Sequence, residues 1–162
     1  METFDIRSVD EIDLQRIGSF LDQRWGSRLV VSRGKLHDAA ALPGFFACHH
    51  QRIIGLATYH IEGSACELVT LDSEVEGIGV GSALIAAVRQ AAVAADCHRL
   101  WLITTNDNLP ALGFYQRRGF RITAVHPNAL AFSRQLKPQI PLIGLDGIPL
   151  RDEIELEMLL KP

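Results

Sequence analysis

Residues 76–82, Glu-Gly-Ile-Gly-Val-Gly-Ser, set three glycines at alternate positions just before an alanine-rich run. Glycine has no Cβ, so such a stretch lets the backbone come close to a ligand. The start of a following helix adds N–H groups that lack intrahelical partners. Together these features suit an anion, and a pyrophosphate in particular. The spacing is not the G-x-G-x-x-G of a dinucleotide fold, and it lacks the lysine of a phosphate-binding P-loop. A turn that only packs a helix against a strand would use the same glycines, and spacing alone does not separate the two.

Two side chains stand out as proton carriers. Tyr115 lies in the run Asn108-Leu-Pro-Ala-Leu-Gly-Phe-Tyr-Gln-Arg-Arg-Gly-Phe120. A phenol beside a departing anion can donate a hydrogen bond as charge develops there. The plainer role is a ring packed in the core with its hydroxyl at the surface. Glu67 stands between Cys66 and Leu68, where partial desolvation would raise its carboxyl towards neutrality. Alternation of residue types leaves open whether it faces in or out. His37, His49, His50, His60, His98 and His126 also titrate near neutrality, but none displaces Glu67 as the candidate base. No spacing of His, Cys, Asp and Glu reads as a metal site. Arg28, Arg33 and Lys35 with His37 form a basic stretch that could receive a carboxylate or be a solvated loop.

The elements that must hold these groups are legible in outline. Residues 5–9 read as a short strand, and Ile12, Leu14, Ile17, Phe20 and Leu21 recur at helical spacing behind a candidate cap, Asp10. Residues 25–37 mix apolar and basic types without a period and are expected to form a connection. Residues 45–48, 53–59 and 65–71 are β-rich runs joined by turns at His50-Gln51 and Gly63-Ser64, which predicts an antiparallel meander. A long helix is expected over 82–95, and the nearly all-apolar 100–105 follows as a buried strand, making a βαβ unit. A second helix, 110–118, starts at Pro110 and stops at Gly119, and 120–125 returns as a strand. Residues 128–137 suit a short helix, 138–149 are broken by three prolines and two glycines, and 154–158 alternate apolar with acidic like a half-exposed antiparallel strand. As an edge, that last strand could pair across a two-fold axis to make a homodimer.

The chain has 162 residues, 48% of them hydrophobic and 22% charged, an ordinary balance for one folded domain spanning 1–162. A net charge of −3 argues against nucleic acid as a partner, although a local basic patch could still exist. Cys48, Cys66 and Cys97 show no CxxC spacing and suit buried free thiols in a reducing, cytoplasmic setting. The acidic N-terminus has no signal-peptide order, and no apolar run is long enough to span a membrane.

Over roughly residues 53–122 the chain resembles the GCN5-related N-acetyltransferase (GNAT) family. The first match is to Arg/Gln-x-x-Gly-x-Gly/Ala, with Gly79 and Gly81 in place. The second is to Asn-x-x-Ala-x-x-x-Tyr-x-x-x-Gly-Phe, at Asn108, Ala111, Tyr115, Gly119 and Phe120. The resemblance implies an α/β fold with a mixed sheet: an antiparallel meander, one βαβ crossover and a C-terminal antiparallel strand. It implies acetyl-CoA as cosubstrate, no metal, and direct attack by a primary amine of a small molecule or protein. Val69, Leu71, Gly77, Ile78, Gly79, Val80, Gly81 and Ser82 would border the cofactor, together with Asn106, Asn108, Ala111 and Phe114. Tyr115 would protonate the departing thiolate, and Glu67 would take the amine proton. Arg117 and Arg118 could reach the ribose phosphate. The basic stretch falls where the family usually folds its acceptor-binding wall.

The chain departs from the first motif at Glu76, where a carboxylate replaces the usual Arg or Gln. That departure keeps a second reading open, a catalytically degenerate acyl-CoA-binding module. A nucleotide-binding α/β protein would use a similar turn but needs a fuller parallel sheet than the opening meander allows.

Overall fold

In the computed structural model, which describes residues 3–161, the β-rich runs of the first half become β1 (Asp5–Ser8), β4 (Gly44–His49), β5 (Arg52–Glu62) and β6 (Ala65–Ser73). The second half supplies β7 (Arg99–Thr105), β8 (Arg121–His126) and β9 (Glu153–Leu159). These seven strands form one sheet in the order β1-β4-β5-β6-β7-β9-β8, in which β6 and β7 run parallel and the other neighbours antiparallel. The parallel pair is joined by α2 (Val80–Ala94), the crossover expected from the alanine-rich run. The remaining helices are α1 (Leu14–Trp25), α3 (Leu109–Arg117) and α4 (Ala129–Leu136).

The two faces of the sheet carry separate cores. On one face Val80, Leu84, Ile85, Val88 and Ala92 of α2 pack on Ala47, Ala57, Leu68, Leu100 and Leu156. Gly55 is needed beneath them, because a Cβ there would sit 2.6 Å from Val80 Cγ1. On the other face Ile17, Phe20 and Leu21 of α1 cover Phe46 and Leu56. Asp10 accepts from the Ile12 N–H and caps the short 3-10 turn that leads into α1, whereas Ile12 itself is 87% exposed. At its other end α1 is tied to the end of β6, with Arg24 and Trp25 both donating to Asp72.

Two expectations are corrected. Residues 25–37 are not a plain connection: β2 (Leu29–Ser32) and β3 (Lys35–Asp38) form a hairpin. Its turn residues Arg33 and Gly34 both have positive φ, the geometry of a tight hairpin, but with Arg where Asn or Asp would have signalled it. The final strand is neither an edge nor half-exposed. β9 lies between β7 and β8, so both of its sides are paired, and Glu153 is only 2% exposed. Its acidic face is covered by basic side chains: Arg33 on Glu153, Arg99 on Glu155 and Glu157, and the His126 ring at hydrogen-bond distance from Glu155.

Among the described residues no helix is long and apolar enough to cross a membrane. Cys48, Cys66 and Cys97 are buried free thiols, and burial pushes Cys66 up to about 12.

Candidate active site

The site begins where the sheet opens. β6 and β7 are paired only at Ala65, Cys66 and Glu67, opposite Arg99, Leu100 and Trp101. Beyond Glu67 both strands continue but no longer pair, so β6 has a free edge from Leu68 onwards. On its other side β6 carries a bulge: Thr58 opposes Thr70 and Tyr59 opposes Leu68, which leaves Val69 unopposed. The Thr70 hydroxyl accepts from the Thr58 N–H and lies 2.7 Å from the Thr58 hydroxyl. The extra residue resets the alternation, so Leu71 packs on the α2 face with Leu68.

The opening continues into a groove of about 640 Å³ between the end of β6, the glycine turn and α3. Gly77 (φ 82°) and Gly79 (φ 87°) take the left-handed backbone the turn requires, and a Cβ at either would meet nothing within 4 Å. Gly79 is the N-cap of α2 and supplies no side chain, so the first N–H groups of that helix are left without a side-chain cap at the groove. The turn thus presents unpaired main-chain N–H groups to the groove. Gly81, Ser82, Ala111, Phe114 and Tyr115 line the groove with Leu71, whereas Val69 and Ile78 do not face it. Glu76 is also at its rim.

Two arginines line the same groove as that carboxylate. The Arg118 guanidinium lies over the Phe114 ring, 3.5 Å from its centroid, and its Nε donates to Ser82 Oγ at 2.9 Å. Arg118 is therefore held at the first turn of α2. Arg117 also lines the groove.

Tyr115 packs edge-on between Phe114 and Phe120, with ring centroids 5.3 and 5.5 Å away. Its hydroxyl bonds to no other described residue, and burial pushes the phenol well above its ordinary 10. It is thus a neutral phenol with an unused proton at the groove.

The two asparagines are committed elsewhere. Asn108 Oδ1 accepts from the Ala111 N–H and caps α3, which leaves only its amide nitrogen free for other partners. Asn106 donates to Pro149 O and accepts from the Arg151 and Asp152 N–H groups. It clamps the segment before β9, a tail that folds back 43 residues later, and is not among the residues lining the groove.

Glu67 faces the other way. Cys66 and Leu68 are in the α2 core, so Glu67 projects to the opposite face, where it is 5% exposed under the β2–β3 hairpin. It borders a cavity of about 350 Å³ with Ser32, Lys35, His60 and Trp101. Burial pushes its carboxyl up to about 6; the Ser32 hydroxyl and Lys35 pull it down, and Glu153 and Glu155 push it up. His37 is buried beside it, Nε2 3.8 Å from Glu67 Oε1, and burial with nearby His60 and Lys35 holds the imidazole below its ordinary value.

The basic stretch is not a free cationic wall. Arg28 pairs with Asp22 at 3.0 Å and Arg33 with Glu153 at 2.9 Å, while Lys35 lies 3.1 Å from His60 and 3.7 Å from Glu62. Sequence reasoning missed Ser32 and Trp101 as neighbours of Glu67. Only the alternation around Arg33-Gly34 could have pointed to the hairpin that brings Ser32 there. Among the described residues no group of three or more His, Cys, Asp or Glu is placed to hold a metal.

A sheet splayed beside a glycine-capped helix start, with a half-buried tyrosine on the next helix, is a site open to an extended anionic ligand. The chain belongs to the acetyltransferase (GNAT) family, whose profile matches residues 9–120. It is 42% identical over 146 residues to the uncharacterized protein YdhI of Bacillus subtilis (strain 168), covering 90% of this chain and 91% of that one. YxbD of the same organism is 38% identical over 139 residues, or 85% and 87% of the two chains. In fold the chain is similar to a GNAT family acetyltransferase from Elizabethkingia anophelis with acetyl-CoA bound. The TM-score is 0.70 at 21% identity, over 99% of this chain and all of that one.

Proposed function

We propose that the chain transfers an acetyl group from acetyl-CoA to a primary amine of a small molecule or protein, by direct attack in a ternary complex. The observation that carries this reading is the splay between β6 and β7, which has an anion cradle at its open end and a buried carboxylate at its apex. The pyrophosphate would take the N–H groups at Gly79 to Ser82, and the free edge of β6 at Val69 and Leu71 would pair with the amides of the pantetheine arm. This route lays the thioester into the opening, between Tyr115 and Glu67.

In the reaction the amine lone pair attacks the thioester carbonyl, a C–N bond forms and the C–S bond breaks. The thiolate takes the phenolic proton of Tyr115, whose raised proton affinity keeps that proton available at neutral pH. The amine proton passes to Glu67, whose carboxylate at about 6 is mostly ionised at neutrality yet basic enough to accept it. The relative from Elizabethkingia anophelis binds acetyl-CoA, in keeping with this assignment.

Glu76 favours one other reading, an acyl-CoA-binding module without turnover, because a carboxylate opposes pyrophosphate binding. Calorimetry with acetyl-CoA, beside thiol release over a broad panel of amines, separates the two. Binding with acceptor-dependent thiol release is expected; tight binding with no turnover on any amine would leave the module.

A further inference from the structure

Ser32 Oγ and His37 Nε2 are buried polar atoms with no partner at full hydrogen-bond geometry, in residues only 4% and 5% exposed, and the Ser32 hydroxyl still lies near enough to the Glu67 carboxyl to pull it down. Orphans of this kind are rare in folded proteins, and an unplaced water is a standard cause. Both come from the β2–β3 hairpin, and both lie at the same carboxyl group. We propose that Ser32 and His37 are positioning residues for Glu67, holding one buried water between the hydroxyl, the imidazole Nε2 and the carboxylate. The inference rests on the reading of Glu67 as the base.

A cavity of about 350 Å³ borders both Ser32 and Glu67. The separation of 3.8 Å between His37 Nε2 and Glu67 Oε1 is too long for a direct hydrogen bond. A water needs two to four polar partners, and three converge here. The other charged groups around Glu67 are engaged with one another. Arg33, at the hairpin turn, is on Glu153, and Arg99 of β7 is on Glu155 and Glu157. Lys35 of β3 lies against His60 of β5 and Glu62. None of them hydrogen-bonds Glu67. His37 is uncharged in this setting, so it acts as a neutral donor or acceptor and adds no counter-charge. The water would orient one carboxylate oxygen and leave the other for the acceptor's proton, which then has a route away from the amine.

Donation to the carboxylate favours its ionised form, so removing the water should make Glu67 harder to ionise. The test follows the Glu67 side-chain carboxyl carbon by NMR through a pH titration of the protein alone, without acetyl-CoA or acceptor. In both Ser32→Ala and His37→Phe the midpoint should rise by about one unit, a tenfold shift in the proton equilibrium, and His37→Gln should bring it back part of the way. A high-resolution crystal structure should show the water in the parent protein and not in His37→Phe. A midpoint unchanged in both Ser32→Ala and His37→Phe overturns the inference, as does a parent crystal structure with the space dry. These readouts need no turnover. If they succeed while no amine is ever acetylated, only the catalytic reading fails. If acetylation is found, the acid limb of kcat/KM should move upward with the midpoint in each variant.

Discussion

On the α2 face, residues 77–82 offer main-chain N–H groups to an anion, and the side chains there serve mainly to keep out of the way. On the opposite face, Glu67 is surrounded by side chains from β2, β3, β5, β7 and β9. The first region is made of backbone within one short segment. The second depends on contacts up to 120 residues apart in sequence, as between Arg33 and Glu153. A site made of backbone binds whatever shares the common part of a substrate, a pyrophosphate in the function proposed above. A site made of side chains can be respecified without disturbing it. Substitutions on the two faces should therefore separate cofactor affinity from chemistry.

The largest effect is expected from filling the backbone site. A Cβ on Gly81 would lie 2.9 Å from Phe114 Cζ, and a carboxylate would add charge where the anion sits. Gly81→Glu should weaken acetyl-CoA binding by at least about 100-fold, equivalent to losing two charge-assisted hydrogen bonds at about 1.5 kcal/mol each. Calorimetry measures it, with circular dichroism to show the fold intact. Unchanged affinity would remove the anion site from this turn.

Next comes Tyr115→Phe, which keeps the ring between Phe114 and Phe120 and removes only the proton. Turnover should fall by about 100-fold, the low end for loss of a general acid, while the Kd for acetyl-CoA stays within about twofold. A rate equal to the parent's would show that the thiolate finds its proton elsewhere.

Glu67→Gln tests the side-chain face and carries two signs. A base must be ionised, so kcat/KM of the parent should rise with pH through about 6, and in the variant that limb should vanish with a loss of about tenfold or more. Stability should move the other way. The folded-state value of about 6 exceeds the ordinary 4.5, so the folded protein holds the proton more tightly than the unfolded chain. This carboxyl therefore favours folding least above about 6, and its contribution falls as pH rises from 4.5 to that point. The penalty at neutrality is up to about 2 kcal/mol, from about 1.4 kcal/mol per unit. Glu67→Gln should raise the denaturation midpoint at neutral pH and change it little in acid. A variant no more stable than the parent would mean that Glu67 is solvated and unsuited to the role.

The same contrast decides what the sequence reveals. The glycine turn and residues 108–120 can be read because their contacts are local: a cap three residues on, a helix of nine residues, a glycine after it. Strand order near the crossover follows from the same local pattern. Glu67 is legible as a residue type but its environment is not, since neither alternation nor composition brings Ser32 and His37 to it. The β2–β3 hairpin is hidden by its Arg33-Gly34 turn. β9 looks half-exposed because glutamates usually meet water, and the side chains that cover them come from β7, β8 and the hairpin. Asn106 has the right chemistry for a ligand contact, but the returning tail takes its carbonyl oxygen and one of its two amide N–H groups.

The smallest expected effect tests how the backbone site tolerates Glu76. The family motif has Arg or Gln at that position, and here a carboxylate stands at the groove rim instead. Arg118 offers a substitute from another helix, anchored at Ser82 Oγ and over Phe114. It is half-buried at an open groove, where solvent still screens a single charge, so Arg118→Ala should weaken acetyl-CoA by about fivefold and flatten the salt dependence of binding. If Arg118 stands in for the missing cation, Glu76→Arg should restore affinity in the Arg118→Ala background and add less in the parent. Equal gains in both backgrounds would mean that the two positions act independently. The cradle would then bind pyrophosphate through main-chain N–H groups without needing a cation at either place.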